Sequence, residues 1–195
     1  RAEGHWLAGA ASYELGYMFS RKLTDLMPAT RDIPLLQFGV FTTPSSKRKA
    51  APTDTATLSA PVPDWTLDDY TTAFNTVKDY IGAGDIYQAN LTFPLTCKRT
   101  GSLDELYAAL QAKQSVPFGA LVDLGGPALL SRSPELFFSI DANRNIRARP
   151  MKGTAPRGGT PEEDAALAKW LQRSEKNRAE NLMIVDLLRN DMSRI

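Results

Sequence analysis

The chain has 195 residues, of which 43% are hydrophobic and 23% charged, with a formal net charge of +1. That length supports one sizeable core or two small ones, and so even a charge balance argues against DNA, RNA or an acidic membrane surface as partners. The single cysteine, Cys97, excludes an intrachain disulfide and fits a reducing compartment, and no apolar run approaches the roughly 20 residues that span a bilayer.

The first residues, Arg1 to His5, have no apolar h-region, so no signal peptide is expected and a cytoplasmic location is. No initiator Met is present, and a helical pattern runs out at Ile195, so a fragment of a longer protein is expected. His5 to Ala11 reads as a strand, residues 12–17 as the start of a short helix, and residues 33–41 as a buried strand. From Thr42 to Pro63 the composition shifts to Thr, Ser, Pro, Ala and Lys, which reads as a surface connection with at most one short strand.

Thr66 caps a helix whose apolar stripe is Leu67, Tyr70, Phe74, Val77 and Ile81, and Gly82 and Gly84 end it. Asp85 to Leu95 alternates like a strand. Ser102 and Glu105 make a capping-box pattern for a helix carrying Leu103, Leu106, Tyr107 and Leu110. Strands are expected near 118–124, 128–132, 135–140 and 145–149, with hairpin turns at Gly125-Gly126 and Ala142-Asn143-Arg144. Thr160-Pro161-Glu162-Glu163 starts another helix, and a last one runs from about Ser174 to Arg189. Strands joined by hairpins and broken by helices predict an α+β fold with mostly antiparallel sheets.

Lys152, within Arg149-Pro150-Met151-Lys152-Gly153-Thr154, is the sharpest candidate for chemistry. A lysine in water has a pKa of about 10.4 and is a poor nucleophile; nearby positive charge or burial frees the amine. Arg147, Arg149 and Arg157 are close in sequence, and Pro150 and Gly153 restrict and then release the backbone around it. The same residues also suit a solvated basic loop or an anion clamp for carboxylates. Glu135, after Ser133-Pro134, is a candidate general acid, or else a strand-edge surface residue. Glu180 on the last helix is a candidate ligand for a hard cation such as Mg²⁺, or else a solvent-facing helix residue. Asp186 lies inside an apolar run and is expected to be paired in a core. With His5 the only histidine, no triad or multi-histidine metal site can be built, and Cys97 is expected to pack as a small residue.

Four blocks in order give these residues a context. Gly84 to Thr92 is similar to a GDIYQ-x-NLT block, Ser131 to Phe137 to S-x-SPE-x-F, Arg149 to Thr154 to RPIKGT with Met151 in place of Ile, and Glu180 to Asp191 to ENLMIVDLLRND. Together they resemble the chorismate-utilising enzymes over nearly the whole chain, least from Pro44 to Pro63. The resemblance implies an α/β sandwich with mostly antiparallel sheets, truncated here at both ends. Residues 1–63 would be the remnant of an N-terminal region, and 64–195 a chorismate-binding catalytic domain whose C-terminal part is missing.

It further implies chorismate as substrate, Lys152 as nucleophile, Glu135 as acid, Gly153 and Thr154 at the substrate, and Glu180 as one Mg²⁺ ligand, the second lying beyond Ile195. Ammonia would come from a glutamine amidotransferase subunit. The lysine points to the aminodeoxychorismate branch, because anthranilate synthases usually carry Ala there. Anthranilate synthase component I and a non-catalytic binding module are the alternatives.

Overall fold

The computed structural model describes residues 4–46 and 56–194. Two compact units divide the chain, one comprising Arg1–Trp6 and Thr42–Gln114, the other Leu7–Phe41 and Ser115–Ile195. Along the chain β1 (Trp6–Ala11) is followed by a 3₁₀ helix (Tyr13–Phe19), the single-turn α1 (Arg21–Thr24) and β2 (Leu36–Phe41). The remaining elements are β3 (Thr57–Leu58), β4 (Val62–Pro63), α2 (Leu67–Ala83), β5 (Leu95–Thr96), β6 (Arg99–Thr100) and α3 (Leu103–Lys113). They continue with β7 (Phe118–Val122), β8 (Leu129–Ser133), β9 (Leu136–Ile140), β10 (Ile146–Arg149), α4 (Pro161–Arg173) and α5 (Glu175–Met192). The mixture is the expected one of helices and small antiparallel sheets.

In the first unit both helices start at reciprocal caps. Thr66 Oγ1 accepts the Asp69 amide at 3.1 Å while Asp69 Oδ2 accepts the Thr66 amide at 2.9 Å. Two donors that the helix cannot satisfy internally are thereby satisfied. The Thr66 hydroxyl, and then its amide, hold the Asp69 carboxyl below the ordinary carboxylate range. Ser102 and Glu105 repeat the arrangement at α3. Gly84, at φ +80°, ends α2 in a left-handed cap that a glycine adopts without steric cost. Strands β3 and β6 pair antiparallel, as do β4 and β5. The Phe93 ring stacks on Trp65 at 5.4 Å and meets Tyr70 edge-on at 5.9 Å.

The segment 85–94 differs from its sequence reading. Its apolar–polar alternation is real, but no ladder forms on it, and only Leu95 and Thr96 pair, with Pro63 and Val62. A strand exists through its partner's hydrogen bonds, and among the described residues the only one reaching this stretch from beside β4 comes at its end, from the Asp64 amide to Pro94 O at 3.1 Å. Part of the 42–63 connection, residues 47–55, lies outside the described residues; the rest carries β3 and β4 where one strand was expected. Cys97 is exposed rather than packed.

In the second unit β1 pairs with β2, and Gln37 Nε2 of β2 donates to Leu124 O at 3.1 Å, tying that pair to the β7–β8 hairpin. The hairpin runs in register from Phe118 opposite Ser133 to Val122 opposite Leu129. A second hairpin, β9–β10, turns on Asp141, whose Oδ1 accepts the amides of Asn143 and Asn145, each at 2.9 Å. The Asn145 side-chain bond, then its amide, lower the Asp141 pKa. A bulge separates Arg147 from Arg149 as β10 ends. Thr160 and Glu163 form a third reciprocal cap, with Pro161 at the start of α4. Ser174 closes α4 and opens α5, and the two helices contact one another. Among the described residues no helix is long and apolar enough to cross a membrane.

Candidate active site

Three segments of the second unit meet: the β8–β9 turn bonds from Glu135 to Met151 in the irregular stretch after β10, and that stretch touches α5 at Asn177. Lys152 and Glu180, carried on the latter two, are not among the residues lining the cleft between them. The turn is built by Ser133, whose hydroxyl donates to Glu135 O at 2.9 Å and accepts the Glu135 amide at 3.2 Å. That local bonding frees the Glu135 side chain to point elsewhere. Its Oε1 accepts the Met151 amide at 2.9 Å, so the carboxylate anchors the residue beside Lys152.

Lys152 and Gly153 are half-buried, whereas Thr154 is exposed. Gly153 has φ +76°, and a Cβ there would fall 2.9 Å from Asn177 Cγ. Asn177 belongs to the half-buried stripe of α5, with Ser174, Glu180, Ile184 and Leu188 at helical spacing. Glu180 is therefore one step along the same face from the residue that touches the lysine-bearing turn. A cleft of about 330 Å³ lies between Ser133, Glu135, Leu136 and Phe137 of the turn, Pro150, and Ile184 and Leu188 of α5. That volume suits a small ligand.

The charges distribute differently from their order in the sequence. Arg157, expected to add positive charge near Lys152, makes a bidentate pair with Asp164 at 2.6 and 2.7 Å instead. The Arg157 guanidinium and the Gly158 amide hold the Asp164 carboxyl below the usual carboxylate range. Asp186 is paired, with Arg189 at 2.6 Å, but both are largely exposed, so the pair belongs to the surface and not to the expected core. Asn177 is the residue that sequence reading passed over. Its signal was weak: it stands three residues after the cap Ser174, where a capping box carries Glu or Gln.

Glu180 has the donor chemistry of a Mg²⁺ ligand: a partly exposed carboxylate whose ion-pair partner among the described residues is Lys176 at 4.0 Å. Among the described residues no group of three or more His, Cys, Asp or Glu side chains gathers as a complete metal cage. Mg²⁺ does not require one, since it is commonly bound through one or two carboxylates, substrate oxygens and water.

The sequence profile of the chorismate binding enzymes matches residues 1–195. Aminodeoxychorismate synthase component 1 of Escherichia coli K12 is 45% identical over 138 residues, which cover 68% of this chain and 30% of that protein. Aminodeoxychorismate synthase of Streptomyces griseus is 43% identical over 127 residues, 65% of this chain and 18% of that protein. An anthranilate synthase component 1 of Haloarcula marismortui is 38% identical over 152 residues, 78% of this chain and 30% of that protein. The chain thus spans less than a third of the length of these relatives. With the whole chain covered by one family profile, it belongs to the chorismate binding enzymes.

Proposed function

We propose that the protein containing this chain converts chorismate and ammonia to 4-amino-4-deoxychorismate, the precursor of para-aminobenzoate on the route to folate, in the cytoplasm. The observation that carries this reading is Lys152, in Arg149-Pro150-Met151-Lys152-Gly153-Thr154, on a turn tied to Glu135 through the Met151 amide. Relatives named aminodeoxychorismate synthase support it.

The reaction then runs in two displacements. The Lys152 amine bonds to ring carbon C2, both conjugated ring double bonds shift (C1=C2 to C1=C6 and C5=C6 to C4=C5), and the C4–oxygen bond breaks. Glu135 gives its proton to the departing hydroxyl, which leaves as water. Ammonia then bonds to C4, both double bonds shift back, the C2–nitrogen bond to Lys152 breaks, and the proton lost by the adding nitrogen balances the one taken up by the departing amine. Splitting one substitution into two lowers each barrier. Gly153 and Thr154 present backbone to the substrate. Glu180 would hold Mg²⁺, which when bound neutralises and orients a substrate carboxylate. Ammonia would be delivered by a separate glutamine amidotransferase subunit. Residues 64–195 would form the chorismate-binding part, within a larger α/β sandwich.

The test is Lys152→Ala in the full-length protein, with mass spectrometry of the wild type during turnover. A substrate-derived adduct on Lys152 and loss of aminodeoxychorismate formation in the variant are expected. Formation at the wild-type rate by Lys152→Ala would overturn the assignment. A second reading, anthranilate synthase with amination at C2, is favoured by the relatives bearing that name, and the identity of the product decides between them.

A further inference from the structure

We infer that Asn177 is a positioning residue that fixes the lysine-bearing turn against α5, an inference that rests on Lys152 being the catalytic amine. The turn is held on both sides of Lys152. On one side the Met151 amide donates to Glu135 Oε1 at 2.9 Å. On the other, the Asn177 side chain fills the space beside Gly153: Cγ lies 2.9 Å, and Cβ and Oδ1 each 3.0 Å, from where a Cβ at 153 would stand. At φ +76° Gly153 already excludes L side chains by conformation, and Asn177 excludes them again by contact.

The local folding of α5 explains why this side chain is available. Ser174 caps the helix by accepting the Asn177 amide at 3.4 Å, which fixes the Asn177 backbone. The α2, α3 and α4 caps each return a carboxylate to the cap residue's amide, Asp69 at 2.9 Å, Glu105 at 2.7 Å and Glu163 at 3.2 Å. The Asn177 side chain lies against Gly153 instead. Gly153 is bonded directly to Lys152, with Cα atoms about 3.8 Å apart, so the position of Gly153 limits where the Lys152 backbone can stand. Glu180 follows on the same half-buried stripe. One helix therefore sets both the root of the nucleophile and the proposed metal carboxylate, with Asn177 as the link.

The experiment compares Asn177→Ala and the shape-conserving Asn177→Asp in the full-length protein. A misplacement of about 1 Å at a reacting group costs on the order of 100-fold in rate. Asn177→Ala should therefore lower kcat by roughly 10- to 100-fold with the chorismate KM within about threefold of wild type, and Asn177→Asp should restore most of the loss. Independently of turnover, hydrogen exchange of the 151–154 amides should rise at least about tenfold in Asn177→Ala while α5 keeps its protection. Unchanged exchange at 151–154 would overturn the inference whatever product the enzyme makes. Equal loss of protection through α5 would overturn it too, since Asn177 would then serve the helix alone. An active Lys152→Ala enzyme would refute the catalytic reading, and the exchange measurement would still judge the contact.

Discussion

Glu135 and Met151, 16 positions apart, are joined by one hydrogen bond from the Met151 amide to Glu135 Oε1 at 2.9 Å. The bond gives Glu135 a structural task beside its proposed acid role, and the two tasks are separable by substitution. Gln keeps a side-chain oxygen that accepts the Met151 amide but cannot deliver a proton at neutral pH. Glu135→Gln should lower kcat by about 10²–10⁴-fold with KM little changed. Glu135→Ala loses the anchor as well, so the chorismate KM should rise in addition. If steady-state kinetics give the two variants the same kcat and the same KM, the anchor contributes nothing to substrate binding.

What was legible in the sequence was local. The caps at Thr66, Ser102 and Thr160 each join residues three apart, and a pattern of that length carries its own geometry. The hairpins around Gly125 and Asn143 were legible for the same reason. The pairing of β3 with β6 joins residues 43 apart through Thr57 and Thr100, and nothing in either dipeptide specifies the other. The alternation of residues 85–94 showed a face to be covered but not what would cover it. The site divides likewise. Lys152, Glu135 and Glu180 were marked by their motifs, whereas the links that connect their segments, Glu135 to Met151 and Asn177 to Gly153, are contacts between segments that no spacing rule encodes.

Glu180 offers a carboxylate on the half-buried face of α5, with Lys176 at 4.0 Å as its ion-pair partner among the described residues. Glu180→Gln keeps the shape and removes the charge. In the full-length enzyme the Mg²⁺ concentration for half-maximal activity should rise by roughly tenfold or more, comparable to the loss seen when even outer groups of a metal site are removed. A titration of activity against Mg²⁺ measures this. Full activity of the wild type in excess chelator would rule the metal role out.

The Arg157–Asp164 pair sets an acid limit for the stretch that leads from Lys152 to α4. The Asp164 carboxyl is held low by the Arg157 guanidinium and the Gly158 amide, which donates at 3.0 Å. A depressed folded-state pKa contributes stability that is fully present above the unfolded value of about 3.9 and is lost as pH falls through the lower folded value. The Gly158 amide should therefore keep its chemical shift and exchange protection from neutral pH through the ordinary carboxylate range and lose both only as pH falls through the lowered folded-state value. Asp164→Asn should remove that acid transition. Arg157 is 88% exposed at its side chain, so raised ionic strength should weaken the pairing. An acid transition that persists in Asp164→Asn would assign it to another group.

Burial sets the expectation for the 195-residue chain expressed alone. Among the described residues Leu106, at 8% exposure, is the buried hydrophobic side chain, while Phe137 stands at 83%, Phe19 at 82% and Leu182 at 71%. Full burial of one such side chain stabilises by about 1.5–3 kcal/mol. Ordering each residue's backbone costs about 1–2 kcal/mol, so chains hold together only when many side chains are buried at once. The isolated chain should therefore melt over a broad range without a sharp transition, bind a hydrophobic dye such as ANS, and form no aminodeoxychorismate from chorismate and ammonium. A full-length protein carrying the same residues should melt cooperatively, because the apolar faces now open would be covered. Calorimetry on both proteins, with a product assay, decides the matter. A sharp calorimetric transition and turnover by the 195 residues alone would mean that they already contain a complete core and a complete site.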